Sequence, residues 1–484
     1  MTFVVMERHE APVVSFVTHA NVGGVDEPRG KTGVAHFLEH LAFKGTPEIG
    51  TTDYAKESVL LDQLDQLFDQ IKAAKQANDQ TQLASLEQRF QQIQKQASQY
   101  VRQNELGQVI ERNGGVGLNA ATSADATTYF YSLPSNKLEL WMSLESERFL
   151  NPVFREFHEE KQVILEERRM RLENDPVSQL FEALKSAAFQ VHPYGQPLIG
   201  ETEDIEGLTR RDVEAFFQAY YGPDNLVCAI VGDVDPVDVK ALAQTYFGRQ
   251  DWAKGSSARR PVPPEPPQRG ERTVELTRPT QPWYMEAYHI PGSQDLAGVP
   301  YAILGNILSS GRTSRLYKTL VESQQVALAA QGFTGYPGEK YPNLMVFYGL
   351  VAPGHEIPEV AAALQEQLDR LKQTPVTEAE LERVKIQVKA SVLRSLTSNL
   401  GMARLLAANE ATTGEWQTLF KELDRIGNLT PADIQTAAQT AFRAENRTVG
   451  RLFSSEASPQ AAAPASTETT QQPEAEPVRA ARPP

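Results

Sequence analysis

The chain has 484 residues, 40% of them hydrophobic, more than one ordinary core holds, so at least two domains are expected. Its 62 acidic and 47 basic residues give a net charge of −15 with no Lys/Arg-rich block, which argues against nucleic acid as a partner. One cysteine excludes an internal disulfide, and no apolar run is long enough to span a bilayer.

Met1-Thr2-Phe3-Val4-Val5 reads as the middle of a first hairpin, as if further residues belong upstream. A removed export signal is one explanation, so periplasmic and cytoplasmic locations both stay open. The run His36-Phe37-Leu38-Glu39-His40 follows, in an amphipathic helical pattern. Residues four apart share a helix face, so His36 and His40 can aim their imidazoles at one point. Glu39 lies beside them, within reach of a water on a bound ion. This H-x-x-E-H order is the inverzincin signature of a zinc peptidase.

From 54 to about 108 the chain is rich in Gln, Lys, Leu and Ala, with no Pro and no Gly before Gly107. Leu60, Leu64, Leu67 and Ile71, then Leu83, Leu86, Phe90 and Ile93, fall at helical spacing around a polar break at Asn78-Asp79. An inserted antiparallel helical hairpin is predicted, a docking arm or a passive surface excursion. Gly114 to Ser123 reads as a Gly-rich turn running into a strand. A second helical pattern runs from Glu159 to Leu172 and stops at Asn174-Asp175-Pro176. Glu160 and Glu167 are two turns apart and share a stripe, whereas Glu166 points about 100° away. Glu167 is therefore the expected third ligand, and Glu160 would accept a hydrogen bond from a ligating imidazole.

Leu208-Thr209-Arg210-Arg211-Asp212-Val213, leading to Asn225 and an apolar strand, recurs 221 positions on as Leu429-Thr430-Pro431-Ala432-Asp433-Ile434, leading to Asn446. This internal repeat suggests a duplicated α+β unit; the expected fold is two homologous α/β half-shell domains, each a mainly antiparallel sheet flanked by helices, enclosing a cavity. The expected boundaries are 1–254, a Pro-rich linker at 255–272, 273–454, and a disordered Ala/Pro/Thr/Glu-rich tail at 455–484. Cys228 is expected to be a buried, inert thiol. His9, His19, His158, His192, His289 and His355 are read as surface or core residues.

The run from Gly30 to Thr46, G-K-T-G-V-A-H-F-L-E-H-L-A-F-K-G-T, resembles the pitrilysin/insulysin superfamily, specifically its bacterial branch similar to mitochondrial processing peptidase. Glu160 to Glu167 matches the family's E-x-x-V-I-x-x-E helix, and Gly114 to Ser123 its active-site edge strand. His192-Pro193-Tyr194-Gly195 and Ser314-Arg315-Leu316-Tyr317 match further family runs, so the resemblance covers roughly residues 1 to 453. It implies that His36, His40 and Glu167 bind Zn2+, that Glu39 is the general base, and that Asn119 and Ala120 contact the substrate backbone. An extended peptide can add to such an open sheet edge by main-chain hydrogen bonds.

Two departures stand out. The 126 residues between His40 and Glu167 exceed the family's usual spacing, and the inserted hairpin accounts for the excess. An Arg and a Tyr that the family places after the S-R-L-Y run read Val321 and Leu328 here, and neither side chain can donate a hydrogen bond. The resemblance therefore implies a zinc-bearing subunit of a heterodimer whose homologous partner supplies the Arg/Tyr pair, with a homodimer possible. Its substrates would be unfolded peptides. The alternative is a non-catalytic core or assembly subunit of the same fold.

Overall fold

Leu226 to Gly232 is a run of seven buried residues, and only a strand covered on both faces accommodates such a run. In the computed structural model, which describes residues 1–249, 260–293 and 296–455, it forms the second strand of a five-stranded sheet. The first half comprises β1 (Thr2–Glu7), β2 (Val13–Ala20), α1 (Val34–Leu41), α2 (Tyr54–Gln76), α3 (Gln80–Ala97), α4 (Glu105–Arg112), β3 (Val116–Thr122) and β4 (Thr127–Pro134). It continues with α5 (Leu138–Leu150), α6 (Phe157–Arg168), α7 (Pro176–Ala188), α8 (Thr202–Gly207), α9 (Arg210–Tyr220), β5 (Leu226–Gly232) and α10 (Pro236–Phe247). The second half comprises β6 (Arg272–Arg278), β7 (Trp283–Ile290), α11 (Val299–Ser309), β8 (Ala327–Tyr336), β9 (Asn343–Val351) and α12 (Ile357–Gln373). It ends with α13 (Glu378–Ser395), α14 (Asn399–Thr413), α15 (Thr418–Asn428), α16 (Pro431–Ala441) and β10 (Arg447–Ser454).

The two sheets have the same strand order, β1-β5-β2-β4-β3 and β6-β10-β7-β9-β8, each with one parallel pair at one edge and antiparallel pairing elsewhere. The repeat extends to side chains. Thr209 and Thr430 close matching capping boxes with Asp212 and Asp433. Asn225 Nδ2 donates to the carbonyls of Tyr220 and Asn21, and Asn446 Nδ2 to those of Ala441 and His289.

Each half lends a helix to the other. Leu180 and Leu184 of α7 are buried against Met285, Leu344, Val346 and Leu452 of the second sheet. In return, Ala403, Leu406 and Ala407 of α14 are buried against Val17, Phe130, Ala229 and Val231 of the first. Apolar faces of both sheets are thus removed from water by the opposite half, which couples the halves far more strongly than a linker could. Of the expected linker, 255–259 lie outside the described residues. The remainder is extended and pinned by Glu265, which accepts from the backbone N–H groups of Gln190, Val191 and His192. The expected disordered tail lies outside the described residues from 456 onward.

Two details differ from expectation. β1 and β2 are not a paired hairpin, because β5 inserts between them. The helical hairpin ends at Ala97 rather than near 108: Val101 bridges to Thr51, Asn104 takes a left-handed φ of 51°, and a separate α4 then begins. The hairpin itself is as expected, with Leu64, Leu67, Ile71 and Leu86 buried between its arms. It lies back on the first half. His158 sits against the rings of Phe68 and Phe90, and Arg210 bonds Asp62 and Asp65. At its root the buried Arg155 pairs with Glu57 at 2.9 Å and donates to the carbonyls of Lys44, Thr46 and Ile49.

Candidate metal centre

All eight residues of α1 are buried, and its entry is built tightly. Gly33 has φ 86°, and a Cβ there would lie 2.6 Å from the Ile199 carbonyl oxygen, so glycine is required on both counts. Glu27 accepts from the backbone N–H groups of Gly33 and Ala35, both at 2.8 Å, and so satisfies donors at the start of the helix, while burial raises its carboxyl to about 8.

Phe37 stacks on Phe157 with ring centroids 4.7 Å apart, which sets α6 alongside α1. His36, His40 and Glu167 then converge, each offering a ligand atom within 4.8 Å of the others. Glu167 Oε1 lies 3.6 Å from His36 Nε2 and Oε2 lies 3.5 Å from His40 Nε2. His40 Nδ1 lies 3.0 Å from Glu160 Oε2. Glu160 is itself held by Lys44, which also reaches Glu156 at 3.0 Å. Glu39 is buried next to His40, and its Oε2 accepts from the Thr122 hydroxyl.

Two imidazole nitrogens and one carboxylate are the donor set of a three-ligand zinc site with a fourth position open. The fit has an independent sign: His40 Nε2 is buried, 3.5 Å from Glu167 Oε2, without a hydrogen-bond partner among the described residues. Such atoms are costly inside a protein unless something polar faces them. Arg171 Nη1 lies 2.9 Å from Glu167 Oε1 as an ion pair.

The electrostatics follow from burial and neighbours. Burial, with the charge of His40 beside it, lowers His36 to about 4. For His40 burial pulls the same way, but the hydrogen bond to Glu160 and the negative charges of Glu160 and Glu167 outweigh it and hold the ring up at about 9. Burial raises Glu39 despite the Thr122 hydrogen bond, whereas Glu167 and Glu160, although buried, lie below the usual carboxylate range because of their basic partners. A divalent ion here would displace the proton from His40.

Asn119 and Ala120 lie on β3, the free edge strand of the first sheet, with a β-bulge between Val116 and Asn119. Ala120 is buried in the first core, and Asn119 Oδ1 accepts from its backbone N–H at 2.9 Å. In the second half, Val321 is half-buried against the core and Leu328 is exposed on β8. Arg315 is held by Glu380 through two hydrogen bonds of 2.9 and 2.7 Å, a structural pairing within that half. α11, which packs on α13 and α16 as α1 does on α6 and α9, contains no His, Asp or Glu. Of the other histidines, His158 is enclosed by aromatic rings, and His9 and His355 pair with Asp233 and Glu359. Cys228 is buried and free, as expected. No helix among the described residues is long and apolar enough to cross a membrane.

Sequence reasoning missed Lys44, Thr122, Arg171 and Glu27. Lys44, one turn beyond His40, carried a usable signal. Thr122 carried none, because its partner depends on how a strand meets a distant helix.

Comparison with known proteins agrees with this architecture. Residues 3–61 and 90–202 match the family described as Insulinase (Peptidase family M16), and 207–388 match Peptidase M16 inactive domain. The skipped residues 62–89 lie inside the helical hairpin. Zinc protease PqqE of Helicobacter pylori is 29% identical over 395 residues, covering 80% of this chain and 76% of the relative. A probable mitochondrial-processing peptidase subunit beta of Schizosaccharomyces pombe is 26% identical over 453 residues, covering 90% and 85%. A crystal structure of a protease from Helicobacter pylori superposes with a TM-score of 0.76 at 25% identity, covering 93% of this chain and 96% of that one. With matched segments along both halves and the fold shared over 93% of its length, the chain belongs to peptidase family M16.

Proposed function

We propose that the protein is a zinc-dependent endopeptidase acting on unfolded peptides, with the ion held by His36, His40 and Glu167. The observation that carries this is the convergence of those three side chains from two helices, with Glu39 buried alongside. When bound, zinc supplies Lewis acidity toward a water and toward the scissile carbonyl.

The chain's own residues do the rest. Glu160 accepts the Nδ1 proton of His40 and so turns the Nε2 lone pair toward the metal position. Glu39, with Oε2 held by Thr122, keeps Oε1 to take a proton from the attacking water and return it to the leaving amine. β3, through Asn119 and Ala120, receives the peptide backbone as an added strand. Val321 and Leu328 cannot hydrogen-bond the substrate carbonyl, which supports a heterodimer in which a homologous subunit supplies an Arg/Tyr pair and closes the chamber. A homodimer is the alternative assembly, and it would leave the site without that pair.

The test is Glu39→Gln. The variant is expected to retain zinc and lose hydrolysis of a quenched peptide; wild-type turnover would refute the role. Running the assay with and without a homologous subunit encoded nearby separates a split site from a self-sufficient one. A chain that binds no zinc and cleaves nothing in either arm would be a non-catalytic assembly subunit.

A further inference from the structure

We propose that Thr122 is a positioning residue for Glu39, tying the general base to the strand that receives the peptide. This deepens the peptidase reading and rests on it. Glu39 is only 3% exposed, and among the described residues Thr122 is the one side chain that hydrogen-bonds its carboxylate. Thr122 closes β3 opposite Thr127 of β4 and is equally buried. Side chains alternate along a strand, so Thr122 shares a face with Ala120, and both are buried on the side that meets α1. Asn119 and Ala121, half-buried, alternate with them.

A glutamate has three rotatable side-chain torsions, and burial alone does not select one carboxylate orientation. The Thr122 hydroxyl does so by engaging Oε2, which leaves Oε1 as the oxygen that can accept a proton from water. Because Thr122 stands two residues beyond Ala120, a peptide pairing with β3 is held in fixed register with the base. Any displacement of the strand displaces Oε1 as well, and general-base catalysis requires hydrogen-bond reach of the proton it abstracts.

The experiment compares Thr122→Val, which keeps the shape and removes the donor, with Thr122→Ser, which restores the donor, in the full chain with whatever partner activity requires. Thr122→Val is expected to keep one zinc per chain and an unchanged KM while kcat falls at least about tenfold. Thr122→Ser is expected to recover most of that loss. Wild-type kcat in Thr122→Val overturns the assignment. Crystal structures of the zinc-loaded variants give a readout independent of turnover. The Glu39 carboxylate is expected to leave its position in Thr122→Val and keep it in Thr122→Ser, and an unmoved carboxylate in Thr122→Val overturns the assignment. If the wild-type chain cleaves no peptide, the peptidase reading fails while the carboxylate position still decides the role of Thr122.

Discussion

His40 turns its Nδ1 to Glu160 at 3.0 Å, and this single contact fixes which ring nitrogen faces Glu167. Lys44 and Glu156 extend it into a chain of alternating charge, so the imidazole is oriented by groups outside the His36, His40 and Glu167 cluster. Replacing Glu160 by Gln is expected to weaken zinc binding about 10- to 100-fold without unfolding the chain. Competitive titration with a chromogenic chelator measures this, and unaltered affinity would remove Glu160 from the account.

The Arg155–Glu57 pair roots the helical hairpin to the loop after α1, and both side chains are fully buried. Removing one partner leaves an uncompensated buried charge, so Glu57→Ala is expected to cost about 3–5 kcal/mol. Urea unfolding followed by circular dichroism reads the loss. A loss below 1 kcal/mol would mean that water reaches the guanidinium after all.

The exchanged helices make each half depend on the other. Leu180→Ala on α7 is expected to destabilise by about 2–5 kcal/mol, through lost burial and the cavity left behind. Calorimetry is expected to show both halves unfolding in one transition in the wild type. Two well-separated transitions would contradict the coupling.

Buried neutral histidines set the acid limit of stability. Burial lowers His19 to about 4 and His158 to about 3, from an ordinary value of 6.5. Below 6.5 the unfolded chain takes up these protons and the folded one does not, so stability present above 6.5 is lost as pH falls toward 4 and 3. The slope is about 1.4 kcal/mol per pH unit for each group. His158→Phe is expected to flatten the fall in Tm between pH 6 and 4 relative to wild type; parallel curves would show that His158 is protonated in the folded chain.

Much of this was legible in the sequence because the informative contacts are local or periodic. His36 and His40 are one turn apart, Glu160 and Glu167 two turns apart, and in each case helix geometry alone brings the pair to one face. The duplicated Thr209/Thr430 caps and Asn225/Asn446 turns disclosed the repeat for the same reason. What stayed hidden was long-range. Leu400, Ala403, Leu406 and Ala407 mark a helix, yet nothing in their spacing says that it covers the opposite half's sheet. The hairpin's end was missed because residues 98 to 104 contain no Gly or Pro, and the break falls instead on Asn104 in a left-handed conformation. β1 and β2 were read as a pair because they are neighbours in sequence, whereas β5, more than 200 residues later, lies between them.

An ion joining α1 to α6 would be located by anomalous diffraction at the zinc edge from crystals grown with zinc. A single strong peak is expected within about 2.0–2.2 Å of His36, His40 and Glu167 donor atoms, with Glu39 outside the coordination sphere. A peak elsewhere in the chain, or none at this position, would contradict it.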